Sequence, residues 1–198
     1  MSEQQQTLTI QQAIDLGVQH HNAGRLPEAE NIYQQILQTN PDQPVALHLL
    51  GVIAHQVGKN DTAVDLIARA LALKPDLTEA HSNLGLALQD LGKSEDAIAS
   101  YRKALALKPD YAEAHRHLAD MKTHTKFDED IRTMEQAYAK PAINDEQRMH
   151  LAFGLGKAFE DLHQYEKAFG FFAEGNSIKR ESYDYSIDDD GNFFNKLK

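Results

Sequence analysis

The chain has no cysteine among its 198 residues, so it forms neither a disulfide nor a thiolate zinc site and has no thiol nucleophile. Basic residues are the minority. Lys and Arg total 20 against 30 Asp and Glu, a formal net charge of −10. That balance argues against nonspecific attraction to nucleic acid or to an anionic membrane, and favours basic or mixed-charge partners. No apolar run approaches the length needed to span a bilayer. The opening MSEQQQTLTIQQ has neither the basic start nor the apolar centre of a signal peptide. A cytoplasmic setting is the expectation. The patterns GxxxxGK[ST], GxSxG, HExxH and GxGxxG are all missing. No catalytic residue, cofactor or metal is therefore expected.

What the chain does have is a register. In the stretch Thr78 to Tyr111, Gly85, Gly92, Ala97 and Pro109 recur 34 and 68 residues upstream, as Gly51 and Gly17, Gly58 and Gly24, Ala63 and Ala29, Pro75 and Pro41. Each position has a physical reason. Gly85 and Ala97 are small where the two helices of a unit cross closely. Gly92 falls where the first helix stops and the chain turns, a place that favours positive φ. Pro109 lies beyond the second helix, where a residue without an N–H ends the ladder. Leu84, Leu88, Ile98 and Leu105 recur at helical spacing as the buried stripe.

Together with Leu84-Gly85, Leu88, Tyr101 and Ala104, this order resembles a tetratricopeptide repeat (TPR). The resemblance implies an all-α fold, a right-handed α-α superhelix of about five helix-turn-helix units and ten helices. Residues 1–9 are polar, Gln-rich and expected to fray. Residues 10–121 hold repeats 1 to 3 and the first helix of a fourth. Pro27 suits a first helical turn, Asn60 or Asp61 is the expected cap of the helix carrying Ala63, and Ser94 of the helix carrying Ala97.

The periodicity breaks at Thr123-His124-Thr125-Lys126, and residues 122–144 read as an irregular link with a degenerate helix carrying Ile131, Met134 and Tyr138 on one face. Asn144 and Gln147 make a capping box for the next helix. Residues 145–182 then form a TPR-like pair: Leu155-Gly156, Phe159, Ala168, Phe172 and Gly175 restore the order, with Gly156 lying 71 residues after Gly85. His163 takes the turn position held elsewhere by glycine, so a different turn is expected there. Residues 183–198, with Tyr183, Tyr185, Ile187, Phe193, Phe194 and Leu197, are either a capping tail or the lead-in to a further domain. Their apolar groups also allow self-association.

The TPR resemblance further implies that the first helices line a concave groove that holds an extended peptide or a helix. Carried over, the lining is Ile14, Val18, His21 and Asn22; His48, Val52, His55 and Gln56; Ser82, Asn83, Leu86, Gln89 and Asp90; Glu113, Arg116, His117 and Asp120; and His150, Phe153, Lys157 and Glu160. Of these, Val18, Asn22, His48, Val52, His55, Ser82, Asn83, Leu86, Gln89, Arg116 and Asp120 are the candidate binding residues. Asn83 resembles the asparagine by which some members hold a peptide backbone. Ile14 and Val18 occupy positions where members that hold chaperone tails carry a polar clamp, which argues against that ligand.

The ten histidines do not form an evident metal site. His20 and His21 diverge by about 100° on a helix, and His81 and His115 share one repeat position. A second resemblance covers residues 148–185: His150, Gly154 to Ala158, Glu160-Asp161, Gly175-Asn176 and Arg180 are similar to the region following the repeats in bacterial TPR-sulfotransferase proteins. It implies the substrate-recruiting part of a longer sulfotransferase whose catalytic domain is absent here. The first expectation is a non-catalytic scaffold that binds a protein or peptide.

Overall fold

The structure of the chain is a computed structural model that describes residues 8–182. The fraying expected at the N-terminus falls on residues 1–7, and the expected capping tail or lead-in on residues 183–198; both lie outside the described residues. Among the described residues ten helices run in order: α1 (Ile10–Asn22), α2 (Leu26–Thr39), α3 (Pro44–Gln56), α4 (Asn60–Leu73), α5 (Thr78–Asp90), α6 (Ser94–Leu107), α7 (Ala112–Met121), α8 (Glu129–Tyr138), α9 (Asp145–Asp161) and α10 (Tyr165–Glu181). The all-α helical repeat expected from the sequence is the fold observed. The chain divides into two compact units that part between Pro109 and Asp110.

Unit 1 consists of three helix pairs, α1 to α6. Thr9 opens α1 with a capping box, its Oγ1 accepting from the Gln12 N–H at 3.2 Å while Gln12 Oε1 accepts from the Thr9 N–H at 2.9 Å. Pro27 and Pro44 sit in the first turns of α2 and α3, where a missing N–H costs nothing. Each first helix hands over to the second through a glycine at positive φ: Gly24 at 72°, Gly58 at 77° and Gly92 at 72°. At the third turn the Gly92 N–H donates to the Gln89 carbonyl and the Lys93 N–H to the Leu88 carbonyl, both at 2.9 Å. Helices α4 and α6 therefore begin at Asn60 and Ser94 themselves, one residue earlier than those residues as caps would imply. Lys59 and Lys93 take the cap position without a side-chain hydrogen bond, so neither Ser94 nor Asn60 caps its helix. The tight glycine turn decides the start, and Asn60 is left with a buried, unpaired side-chain oxygen.

The small residue of each first helix makes room for a large one sixteen positions on. A Cβ on Gly17 would lie 2.3 Å from the Tyr33 ring, and one on Gly85 2.5 Å from the Tyr101 ring. The close approach is thus ring against backbone, and Tyr33, Tyr101 and their counterpart Ile67 are fully buried. Of the expected stripe, Leu88 is buried while Leu84, Ile98 and Leu105 are half-buried.

Unit 2 keeps the pair α9–α10 and departs elsewhere. Helix α8 supplies Ile131 and Met134 to a core with Leu151, Leu155 and Phe159. Phe171 stacks on Phe159 at 5.7 Å and meets Tyr138 edge-on at 5.4 Å. The chain between α7 and α8 is held by ion pairs and a hydrogen bond. Lys122 pairs with Asp128 and, at 2.7 Å, with Asp130. The His124 N–H donates to Asp161 at 3.0 Å, and Lys157 donates to the same carboxylate at 2.5 Å. Burial opposes the charges, but these hydrogen bonds outweigh it: they raise the pKa of Lys122 and hold Asp128 and Asp161 below the usual carboxylate range.

The turn into α10 corrects an expectation. His163 adopts φ 58° and makes the same bonds as the glycine turns, its N–H to the Glu160 carbonyl and that of Gln164 to the Phe159 carbonyl, both at 2.9 Å. The packing of the helix pair dictates the turn, and histidine bears the strain of the left-handed region.

Candidate peptide-binding face

In unit 1 the first helices α1, α3 and α5 form a continuous face, because side chains bond across it one repeat plus one residue apart. His21 meets Gln56 at 2.8 Å, His48 meets Asn83 at 2.9 Å and His55 meets Asp90 at 2.9 Å. Val18, Val52 and Leu86 occupy one repeat position and are all half-buried, forming an apolar row beside these polar rungs. Asn22 and Asp90 are exposed at the edge of the face. Gln89 accepts a hydrogen bond from the Tyr101 hydroxyl at 2.9 Å and so joins the face to the buried ring beneath.

Not every expected lining residue is offered to a partner. Ile14, His48 and Ser82 share a repeat position and are 5%, 8% and 1% exposed. Ser82 is packing: its hydroxyl is buried without a hydrogen-bond partner. His48 acts through Asn83. Burial pulls its pKa down to about 4 against the pull of Glu79, so the imidazole is neutral at pH 7. Its Nε2 can then accept from the Asn83 amide, which fixes the side chain of this half-buried residue. His81, by contrast, is spent on the backbone, bonding the Pro75 carbonyl at 2.9 Å.

In unit 2 the corresponding residues on α7 and α9 make a face of different chemistry. The Arg116 guanidinium lies 5.0 Å over the Phe153 ring, 3.5 Å from His150 Nδ1 and 3.8 Å from the Asp120 carboxylate. Burial also holds the pKa values of His117 and His150 below the ordinary 6.5, outweighing their acidic neighbours. Asp120 stands at the repeat position that Val18, Val52 and Leu86 hold in unit 1, so the apolar row has no member here. Glu146, beside His150, escaped the sequence reading. Its spacing of four residues from His150 is the signal that could have found it.

Two family models, each described as tetratricopeptide repeat, match residues 21–85 and 78–111. Over those residues the chain is similar to tetratricopeptide repeats. No curated protein matches the chain. Among solved structures the chain resembles MamA, at 21% identity and a TM-score of 0.62, over 85% of this chain and 97% of that one. It resembles Pseudomonas aeruginosa PilF at 16% identity and a TM-score of 0.69, over 85% and 76%. The first TPR of Spaghetti (RPAP3), solved with the HSP90 peptide SRMEEVD, is similar at 26% identity and a TM-score of 0.54, over 57% of this chain and 89% of that one. The first two likenesses speak for the fold alone. Among the described residues no helix is long and apolar enough to cross a membrane.

Proposed function

We propose that the chain is a non-catalytic scaffold whose unit 1 holds an extended peptide segment of basic or mixed charge on the α1, α3, α5 face. The observation that carries this reading is the row Val18, Val52 and Leu86 flanked by side chains already oriented by the rungs His48–Asn83 and His55–Asp90. An apolar row takes alternate side chains of an extended segment, while a fixed asparagine oxygen accepts from its backbone. Orientation before binding removes part of the ordering cost. The TPR of RPAP3 bound to a peptide supports the class of ligand. It does not extend to acidic tails, because the net charge of −10 and the carboxylate of Asp90 disfavour them. The unit 2 face, with Arg116 and Asp120, is a second contact surface of mixed charge. We place the activity in the cytoplasm on composition alone. The likeness to sulfotransferase-associated repeats rests on residues 148–185, outside the matched family models, and gains no support from them.

The test is selection of random dodecamer peptides on the full chain, followed by calorimetric titration of the enriched peptide. Asn83→Ala and Leu86→Ala should each weaken binding at least tenfold, while Lys103→Ala on α6 should leave it unchanged. Equal affinity in all three variants would remove the face from the account.

A further inference from the structure

Unit 2 contains a cluster that the repeat does not require. Glu113 on α7 and Glu146 and His150 on α9 bring one ligand atom each to within 4.8 Å of the other two. Glu146 and His150 are one helical turn apart and share a face. The Tyr111 hydroxyl donates to Glu113 Oε2 at 3.0 Å, which orients that carboxylate and leaves its other oxygen open. Two carboxylates this close repel one another, and among the described residues neither forms an ion pair. The guanidinium of Arg116 is engaged elsewhere, stacked on Phe153 and paired with Asp120. It reaches the cluster through a 3.5 Å contact to His150, long enough to be given up at little cost.

We propose that Glu113, Glu146 and His150 bind a divalent transition-metal ion of the zinc type. One imidazole and two carboxylates are a donor set that zinc accepts, at bonds of about 2.0–2.2 Å. Small rotations of the exposed Glu146 and the half-buried Glu113 side chains close the ligand atoms around an ion. The two carboxylates balance the ion's charge. Three protein ligands leave a fourth position open to water or to an oxygen or nitrogen atom of a bound partner. The site belongs to unit 2 and does not depend on the peptide face of unit 1.

The experiment is calorimetric titration of the untagged full chain with zinc chloride, with circular dichroism to check each variant's helix content. One equivalent should bind, weakened at least 100-fold by His150→Ala and at least tenfold by Glu113→Gln and by Glu146→Gln. The control His20→Ala on α1 should bind as the parent does, and magnesium in excess should not displace the zinc. Absence of binding below millimolar zinc, or zinc affinity that folded His150→Ala and Glu113→Gln variants retain, would overturn the proposal. Loss of zinc binding with peptide binding intact, or the reverse, separates the two sites.

Discussion

Units 1 and 2 both lay a large side chain of a second helix on a glycine of the first, sixteen residues earlier: Tyr33 on Gly17, Tyr101 on Gly85, and Phe172 on Gly156. Around that shared device they differ. In unit 1 the neighbouring contacts repeat along with the residues, through glycine turns and histidine rungs. In unit 2 the turn is made by His163, the rungs give way to Arg116 on Phe153, and the second helix of the fourth repeat is the short α8, tied in by ion pairs and packed on an aromatic core. The lesson is that the crossing of one helix pair sets the backbone, while what lies between pairs is free to change its chemistry.

The largest effects should come from the buried rings. Tyr101→Ala and Phe159→Ala remove fully buried side chains from unit 1 and unit 2, and each should cost about 3–5 kcal/mol in urea unfolding. If one unit unfolds separately, only the transition of the mutated unit should move.

Acid comes next. The unfolded chain binds a proton at His48 near pH 6.5, which the folded chain refuses until about pH 4. Stability from this group is complete above pH 6.5 and falls as pH drops through that window, by up to about 3 kcal/mol. His117 and His150 act in the same direction within unit 2. Asp128 and Asp161, with depressed pKa values, keep their contribution until the pH falls below the ordinary 3.8. His48→Gln should flatten the dependence of unfolding free energy on pH between 6.5 and 4. An unchanged slope would mean that the site admits a proton more readily than its burial implies.

The turns should respond with opposite signs. Gly92→Ala places a Cβ at φ 72° and should cost about 1 kcal/mol, whereas His163→Gly relieves φ 58° and should gain up to about 1 kcal/mol, less the lost hydrogen bond between His163 Nδ1 and the Tyr165 hydroxyl. Thermal unfolding of the two variants checks this.

The smallest contrast lies within unit 1. The Tyr33 hydroxyl is buried without a partner, and burial pushes its pKa up to about 12, while the Tyr101 hydroxyl bonds Gln89. Tyr33→Phe should therefore be neutral or stabilising, and Tyr101→Phe should cost about 1 kcal/mol.

The helix pairs were legible because close packing leaves a one-residue signature, glycine or alanine, at a fixed interval. The turn residue was legible where it was glycine, and misleading at His163, because a strained histidine has no signature of its own. The caps were misread for a related reason. Ser94, Asn60 and Asp61 have the chemistry of caps, but the turn geometry places lysine at that position. On the face, the apolar row could be read from Val18, Val52 and Leu86. The burial of Ser82 and the pairing of His48 with Asn83 could not, since a spacing of one repeat plus one residue depends on how adjacent helices are offset. The cluster of Glu113, Glu146 and His150 was hidden for the same reason: its members come from different helices of an irregular pair.

The most direct test of the binding account is amide hydrogen exchange of the full chain with and without the selected peptide. The account predicts added protection on α3 and α5 around Val52, His55, Asn83 and Leu86, and little change on α4 and α6. Protection concentrated on α4 and α6, with α3 and α5 unchanged, would contradict it.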